Sequence, residues 1–219
     1  MSQVLDCSQD SLLRLAEVID SGGLAVIPTD TVYGIVCDPF NDLAIARLFA
    51  AKHRPRTKSI QVLLDSVGAI PALSLSLPAP LDILADRFLP GPFSPICRVE
   101  EGCGLCTPRQ EAGCRTQAVR VPDSDICRAL LAVTGPLAAS SANRSGNPSV
   151  RTAAEARQQL GDSVGCYLDG GPTPGSVASS VVAADADDPE GIRILRQGVV
   201  GQEDLRQAIR EVVKEGGRA

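Results

Sequence analysis

The 219-residue chain has no tryptophan, two tyrosines, four phenylalanines and a single histidine, His53. A protein that grips nucleic acid mainly by stacking bases on aromatic side chains needs more rings than this. One histidine leaves little room for a Ser-His-Asp triad or a multi-histidine metal site. Eight cysteines in 219 residues are too few for a disulfide scaffold, so a reducing, cytoplasmic setting is expected. Excess positive charge is also missing. With 21 Lys and Arg against 26 Asp and Glu the net charge is −5, and the surface as a whole repels phosphate backbones. Any anion site must therefore be a local basic patch. No apolar run approaches the roughly 18 residues of a membrane span. The opening Met1–Asp6 lacks the positive and apolar regions of a signal peptide, so no membrane partner is expected.

What is present suits one globular domain: 44% hydrophobic and 21% charged residues, with 20 glycines and 16 prolines marking turns. Apolar spacing predicts a helix over Ser11–Ile19, stopped by Gly22-Gly23, and a buried strand over Leu24–Pro28. Residues 29–41 read as turn-rich. Asn41 is placed to cap a second helix, which carries Ile45, Leu48 and Phe49 on one face and ends before Pro55. Further strands are predicted at Ser59–Leu64, Ala118–Val121, Leu137–Ala139, Val164–Leu168, Ser180–Ala184 and Ile192–Leu195. Helices are predicted at Asp82–Phe88, from Pro122-Asp123 to about Thr134, at Ala153–Leu160 behind a Thr152/Glu155 capping box, and at Gln202–Val213, with a frayed tail beyond. Residues 100–115, polar and cysteine-rich, read as a loop. Strands and helices mix without strict alternation, which predicts a single-domain α/β fold around a mixed, twisted sheet with flanking helices.

Three segments could carry chemistry. Lys52-His53-Arg54-Pro55-Arg56-Thr57-Lys58 sets five cationic or potentially cationic side chains in seven residues and holds two of the chain's three lysines. Helix C-capping accounts for Lys52 and Arg54, but not for Arg56 and Lys58 beyond the proline. Arginine forks and lysine point charges suit a polyphosphate. Pro28-Thr29-Asp30-Thr31-Val32-Tyr33-Gly34 follows the first strand, where open α/β sheets place ligands; its plainer reading is a turn in which Thr and Asp cap backbone groups. Ser140-Ser141-Ala142-Asn143-Arg144-Ser145-Gly146-Asn147-Pro148-Ser149 also follows a strand, and its small residues allow close approach to a ligand, or simply make a loop.

Taken in order, these segments, with Pro90-Gly91-Pro92, Ala118-Val119-Arg120-Val121-Pro122-Asp123, Asp169-Gly170-Gly171, Ser179-Ser180-Val181-Val182 and Ile194-Leu195-Arg196, resemble the threonylcarbamoyl-AMP synthase (YrdC-like) family over roughly residues 10–200. The resemblance implies a YrdC-like catalytic domain over 1–200, with 201–219 as a C-terminal helix and tail of the same domain. It implies a large basic cavity and a reaction joining L-threonine, bicarbonate and ATP into threonylcarbamoyl-AMP and pyrophosphate. This is the first step toward N6-threonylcarbamoyladenosine in tRNA. Carried over by motif, Thr31, Arg120, Ser141 and Ser179 hold threonine, with Tyr33 in the same wall. Arg54, Lys58, Thr116, Asn143, Arg151 and Arg196 hold ATP. Lys52, Arg54 and Lys58 form the catalytic basic motif. Mg2+ enters with ATP, and no prosthetic group or protein-bound metal is implied. A downstream threonylcarbamoyl transferase complex acting on tRNA is the implied partner, and direct tRNA binding is expected to be weak.

The chain departs from the family's pattern where Phe93-Ser94 replaces Leu-Thr after Pro92, where Ala178 precedes Ser179-Ser180, where Gln197 follows Arg196, and at Leu63. An RNA-binding module without chemistry, and a relative that activates or transfers a carbamoyl group on another acceptor, are the competing readings. Cys97, Cys103, Cys106 and Cys114 form a C-x5-C-x2-C-x7-C set whose single close pair is poor zinc spacing, so they read as unliganded.

Overall fold

The computed structural model describes residues 2–111 and 113–216. The first helix, α1 (Gln9–Asp20), starts two residues before the expected Ser11 because Ser8 caps it, its hydroxyl accepting from the Ser11 N–H. Gly22, at φ 77°, turns the chain into β2 (Ala25–Ile27), whose three residues are all buried. The short β1 (Gln3–Leu5) precedes α1, and β3 (Gly34–Cys37) lies inside the stretch expected to be only turns. Four consecutive buried residues leave no alternation to mark β3 as a strand.

Asn41 caps α2 (Asp42–Ala51) through Oδ1, 3.0 and 3.1 Å from the N–H groups of Leu43 and Ala44. Then follow β4 (Gln61–Leu63), β5 (Leu75–Ser76), α3 (Leu81–Phe88) and β6 (Phe93–Val99). Residues 100–115 are not all loop: β7 (Arg109–Glu111) folds back on β8 (Cys114–Arg120), pairing Arg109 with Thr116 and Gln110 with Arg115. The residues of this hairpin end are polar, so no apolar period announces it.

Ser124, not Pro122, begins the next helix, α4 (Asp125–Thr134), by accepting from the Cys127 N–H. β9 (Leu137–Ser141) leads to α5 (Ala153–Leu160), where Thr152 accepts from the Glu155 N–H as predicted. Glu155 completes the cap one residue further out, accepting at 2.7 Å from the Arg151 N–H. β10 (Cys166–Leu168), β11 (Ser180–Ala184), β12 (Ile192–Arg196) and α6 (Gln202–Gly216) complete the chain. α6 runs past Val213; residues 217–219 of the expected frayed tail lie outside the described residues.

The twelve strands of the described residues form one mixed sheet in the order β1-β10-β2-β3-β9-β4-β8-β6-β11-β12, with β5 on β6 and β7 on β8. β4 and β8 are parallel, as are β6 and β11, while β9 runs antiparallel to both β3 and β4. Leu48, Ile35 and Tyr167 pack α2 and α5 on one face, and Leu15, Leu130 and Ile27 pack α1 and α4 on the other. Leu84 and Leu205 close α3 and α6 over Phe93 and Val182. Arg206 of α6 also pairs with Asp188 and Glu190 in the turn before β12. Among the described residues no helix is long and apolar enough to cross a membrane.

Cys97 lies buried in β6, where burial pushes its thiol up to about 12; Cys103 is half-buried and Cys106 and Cys114 are exposed. Among the described residues no three metal-ligating side chains converge. The double variant Cys103→Ser/Cys106→Ser is expected to unfold within about 0.5 kcal/mol of the parent in urea. Stoichiometric zinc lost together with stability would contradict this.

Candidate active site

The sheet brings the ends of several strands to one cavity of about 400 Å3. Of the residues expected to hold threonine, Thr31, Arg120, Ser141 and Ser179 line it. Of those expected to hold ATP, Arg54, Lys58, Thr116 and Arg196 do so.

Thr29 and Thr31 divide the two readings of their segment between them. The Thr29 hydroxyl donates to the Val32 carbonyl at 2.7 Å and accepts from the Val32 N–H, making the turn. That turn aims Thr31 at Arg120. The buried Arg120 guanidinium donates to Thr31 Oγ1 at 2.8 Å and to the Gly91 carbonyl at 3.0 Å, and it pairs with Asp30. Among the described residues five cations line the cavity (Arg54, Lys58, Arg109, Arg120 and Arg196) and no carboxylate does. Burial, then the neighbouring Arg120 and Arg54, pushes the Arg196 pKa below the usual arginine range; burial does the same to Arg54. Crowded like charges in a concave site are relieved by an anion.

Ser179 sits in a relay. Ser94 donates to Gln61 Oε1 at 2.9 Å, which uses its one proton, so the Ser179 hydroxyl, 2.8 Å away, donates to Ser94. Arg196 in turn donates to Ser179 Oγ at 3.1 Å and to its carbonyl. Gln61, Arg109 and Gln117 line the cavity and Ser94 holds Ser179 without lining it, and motif reading missed all four; for Gln61 and Ser94 the available signal was a polar side chain beside apolar neighbours in its strand.

Four expected residues lie elsewhere. Tyr33 does not line the cavity: its ring is buried in the core, and its hydroxyl donates to the Gly171 carbonyl at 2.7 Å while accepting from the Gly170 N–H. Arg151 turns away to the Thr173 carbonyl, 2.9 Å from Nη2. Asn143 closes its own loop, Nδ2 donating to the Arg144 and Asn147 carbonyls, while its buried Oδ1 has no partner among the described residues. Lys52, expected among the catalytic cations, is 1% exposed and donates to the Ser141 and Asn143 carbonyls beneath the cavity floor. Burial and the neighbouring Arg54 push its pKa down to about 7, whereas the two carbonyls favour the charged form. It positions the loop and does not face the cavity.

Residues 17–198 match the Sua5/YciO/YrdC family, described as "Telomere recombination". The chain belongs to this family. A Mycobacterium tuberculosis relative is 36% identical over 214 residues, 95% of this chain and 96% of that protein. The Pyrococcus abyssi threonylcarbamoyl-AMP synthase is 32% identical over 199 residues, 90% of this chain but 56% of its own length. A crystal structure of P. abyssi Sua5 complexed with L-threonine is similar at a TM-score of 0.84 and 29% identity, covering 95% of this chain and 61% of that one. The chain thus spans about six-tenths of the archaeal protein, the shared part being the Sua5/YciO/YrdC domain.

Within this domain Gly198 is hemmed in. A Cβ there would meet the Ser179 carbonyl carbon at 2.3 Å and the Ala178 oxygen at 2.4 Å. Gly198→Ala is expected to cost roughly 1–3 kcal/mol of stability, as overpacking does. Urea denaturation checks this, and unchanged stability would show that the β11–β12 corner yields freely.

Proposed function

We propose that the chain is an L-threonylcarbamoyladenylate synthase, a nucleotidyltransferase that condenses L-threonine, bicarbonate and ATP and releases pyrophosphate. The observation that carries this reading is the lining of the cavity: among the described residues, hydroxyls of Thr31, Ser141 and Ser179 beside five cations and no carboxylate. Arg120, fixed by Asp30, receives the threonine carboxylate; Ser179, with a lone pair left after its bonds to Ser94 and Arg196, accepts from the amino acid. Arg54, Lys58, Thr116 and Arg196 receive the nucleotide and its phosphates.

The threonine amine adds to bicarbonate with loss of water, giving a carbamate. A carbamate oxygen then bonds to the α-phosphorus while the bond to the β-phosphate oxygen breaks and pyrophosphate leaves. No protein nucleophile is needed. The chain supplies positioning and neutralises charge that develops on the phosphates. Among the described residues no carboxylate lines the cavity, which supports reading Mg2+ as an ion carried by the ATP substrate. The product is an activated carbamate, to be consumed by a transferase complex acting on tRNA.

Arg54→Ala and Lys58→Ala are each expected to lower kcat/KM for ATP about ten- to a hundredfold, the equivalent of about 1.5–3 kcal/mol of charge-assisted contact. Near-parental kinetics would reduce the cluster to a helix cap. Pyrophosphate release with different amino acids, in ATP, Mg2+ and bicarbonate, tests the threonine reading. The expected order is threonine, then serine, down about ten- to a hundredfold for one methyl, then valine far behind because it leaves buried polar groups unpaired. Valine matching threonine would transfer the reading to a relative acting on another carbamoyl acceptor. No release with any amino acid, together with RNA binding, would make it a binding module.

A further inference from the structure

The loop that carries Arg54 and Lys58 lies on the surface: Pro55 to Ser59 are exposed, and their own bonds are local, Lys58 N–H to the Pro55 carbonyl and Arg54 Nη2 to the Ser59 carbonyl. Two side chains of the β7–β8 hairpin grip this loop from outside. Arg109 Nη1 donates to the Arg56 carbonyl at 2.8 Å, and Nη2 donates to the Thr57 carbonyl next to it. Gln117, 2% exposed, donates through Nε2 to the Ile60 carbonyl at 3.0 Å, and its Oε1 is held by the Thr107 hydroxyl at 2.7 Å. The three carbonyls bracket Lys58 on both sides. Arg109 also stands in the wall between the main cavity and a smaller one of about 130 Å3 that Lys58 shares.

We infer that Arg109 is a positioning residue: its guanidinium clamps the Arg56 and Thr57 carbonyls and so holds Lys58 and Arg54 where phosphates are bound. The inference rests on the reading of Arg54 and Lys58 as ATP contacts. Two donors in a rigid fork match two successive carbonyls, which a lysine point charge does not. The loop is exposed and short of other ties, so ordering it in the free protein removes an entropic cost that ATP would otherwise meet on binding. The positive charge of Arg109 beside the cavity is a separate effect, and the lysine variant separates them because it keeps the charge and loses the fork.

The test compares the parent with Arg109→Lys and Arg109→Ala. The first measurement is amide hydrogen exchange in the peptide covering residues 54–60, which needs no substrate. Both variants are expected to exchange there roughly tenfold faster, with the core helices unchanged. The second is steady-state pyrophosphate release, where KM for ATP is expected to rise about tenfold in both variants while KM for L-threonine holds. Unaltered exchange over 54–60, or an Arg109→Lys enzyme with the parental KM for ATP, overturns the clamp. A parent that releases no pyrophosphate overturns the synthase reading instead, and the exchange result still decides whether Arg109 holds the loop.

Discussion

A buried ammonium group holds this site in place. Lys52 closes α2 and reaches under the cavity floor to the carbonyls of Ser141 and Asn143. Removing a charge from water costs several kcal/mol unless polar partners replace the solvent. The two carbonyls do this only when β9 and its following loop lie directly over the end of α2. The same contact fixes where the basic loop begins, since Arg54 follows two residues later. A residue that never touches the cavity therefore sets the relative placement of the hydroxyls on one side and the cations on the other.

The cations themselves oppose the fold. Arg54, Arg120 and Arg196 are partly or wholly desolvated within one concavity, and their mutual repulsion is tolerated because Arg120 is paired with the Asp30 carboxylate and each guanidinium is bonded to backbone carbonyls or hydroxyls: Arg54 to Ser59, Arg120 to Gly91 and Thr31, Arg196 to Ser179. Their directions are thus fixed before any ligand arrives, which is the condition for electrostatic preorganisation.

The helices were legible in the sequence because caps and apolar periods are local: Asn41, Thr152 and the stripe through Leu48 needed no knowledge of the sheet. β3 was not, because its four buried residues show no alternation and lie in a turn-rich stretch, and β6 was not, because Ser94 and Pro95 interrupt its apolar residues. Residue-type motifs found eight of the side chains that share the cavity. They could not tell a residue facing the cavity from one supporting it, since Lys52, Asn143 and Tyr33 stand within two residues of lining ones and differ only in which way the chain turns them. The hairpin carrying Arg109 was invisible for another reason: its strands are polar at their paired end, and its partner is a loop some fifty residues away.

The order of strands has a consequence for synthesis. β1 and β2 do not pair with each other; β10 lies between them and joins both in parallel. At the other end β11 docks on β6 only after some eighty further residues have been made. While the chain is still emerging, the first half of the sheet therefore has an open edge between β1 and β2, and β6 has another. Thr31 and Arg120 are available early, but Ser179 and Arg196 arrive with the last two strands. Until β11 and β12 have been made, a nascent chain therefore lacks two of the cavity's polar side chains and leaves both edges open to wrong pairing.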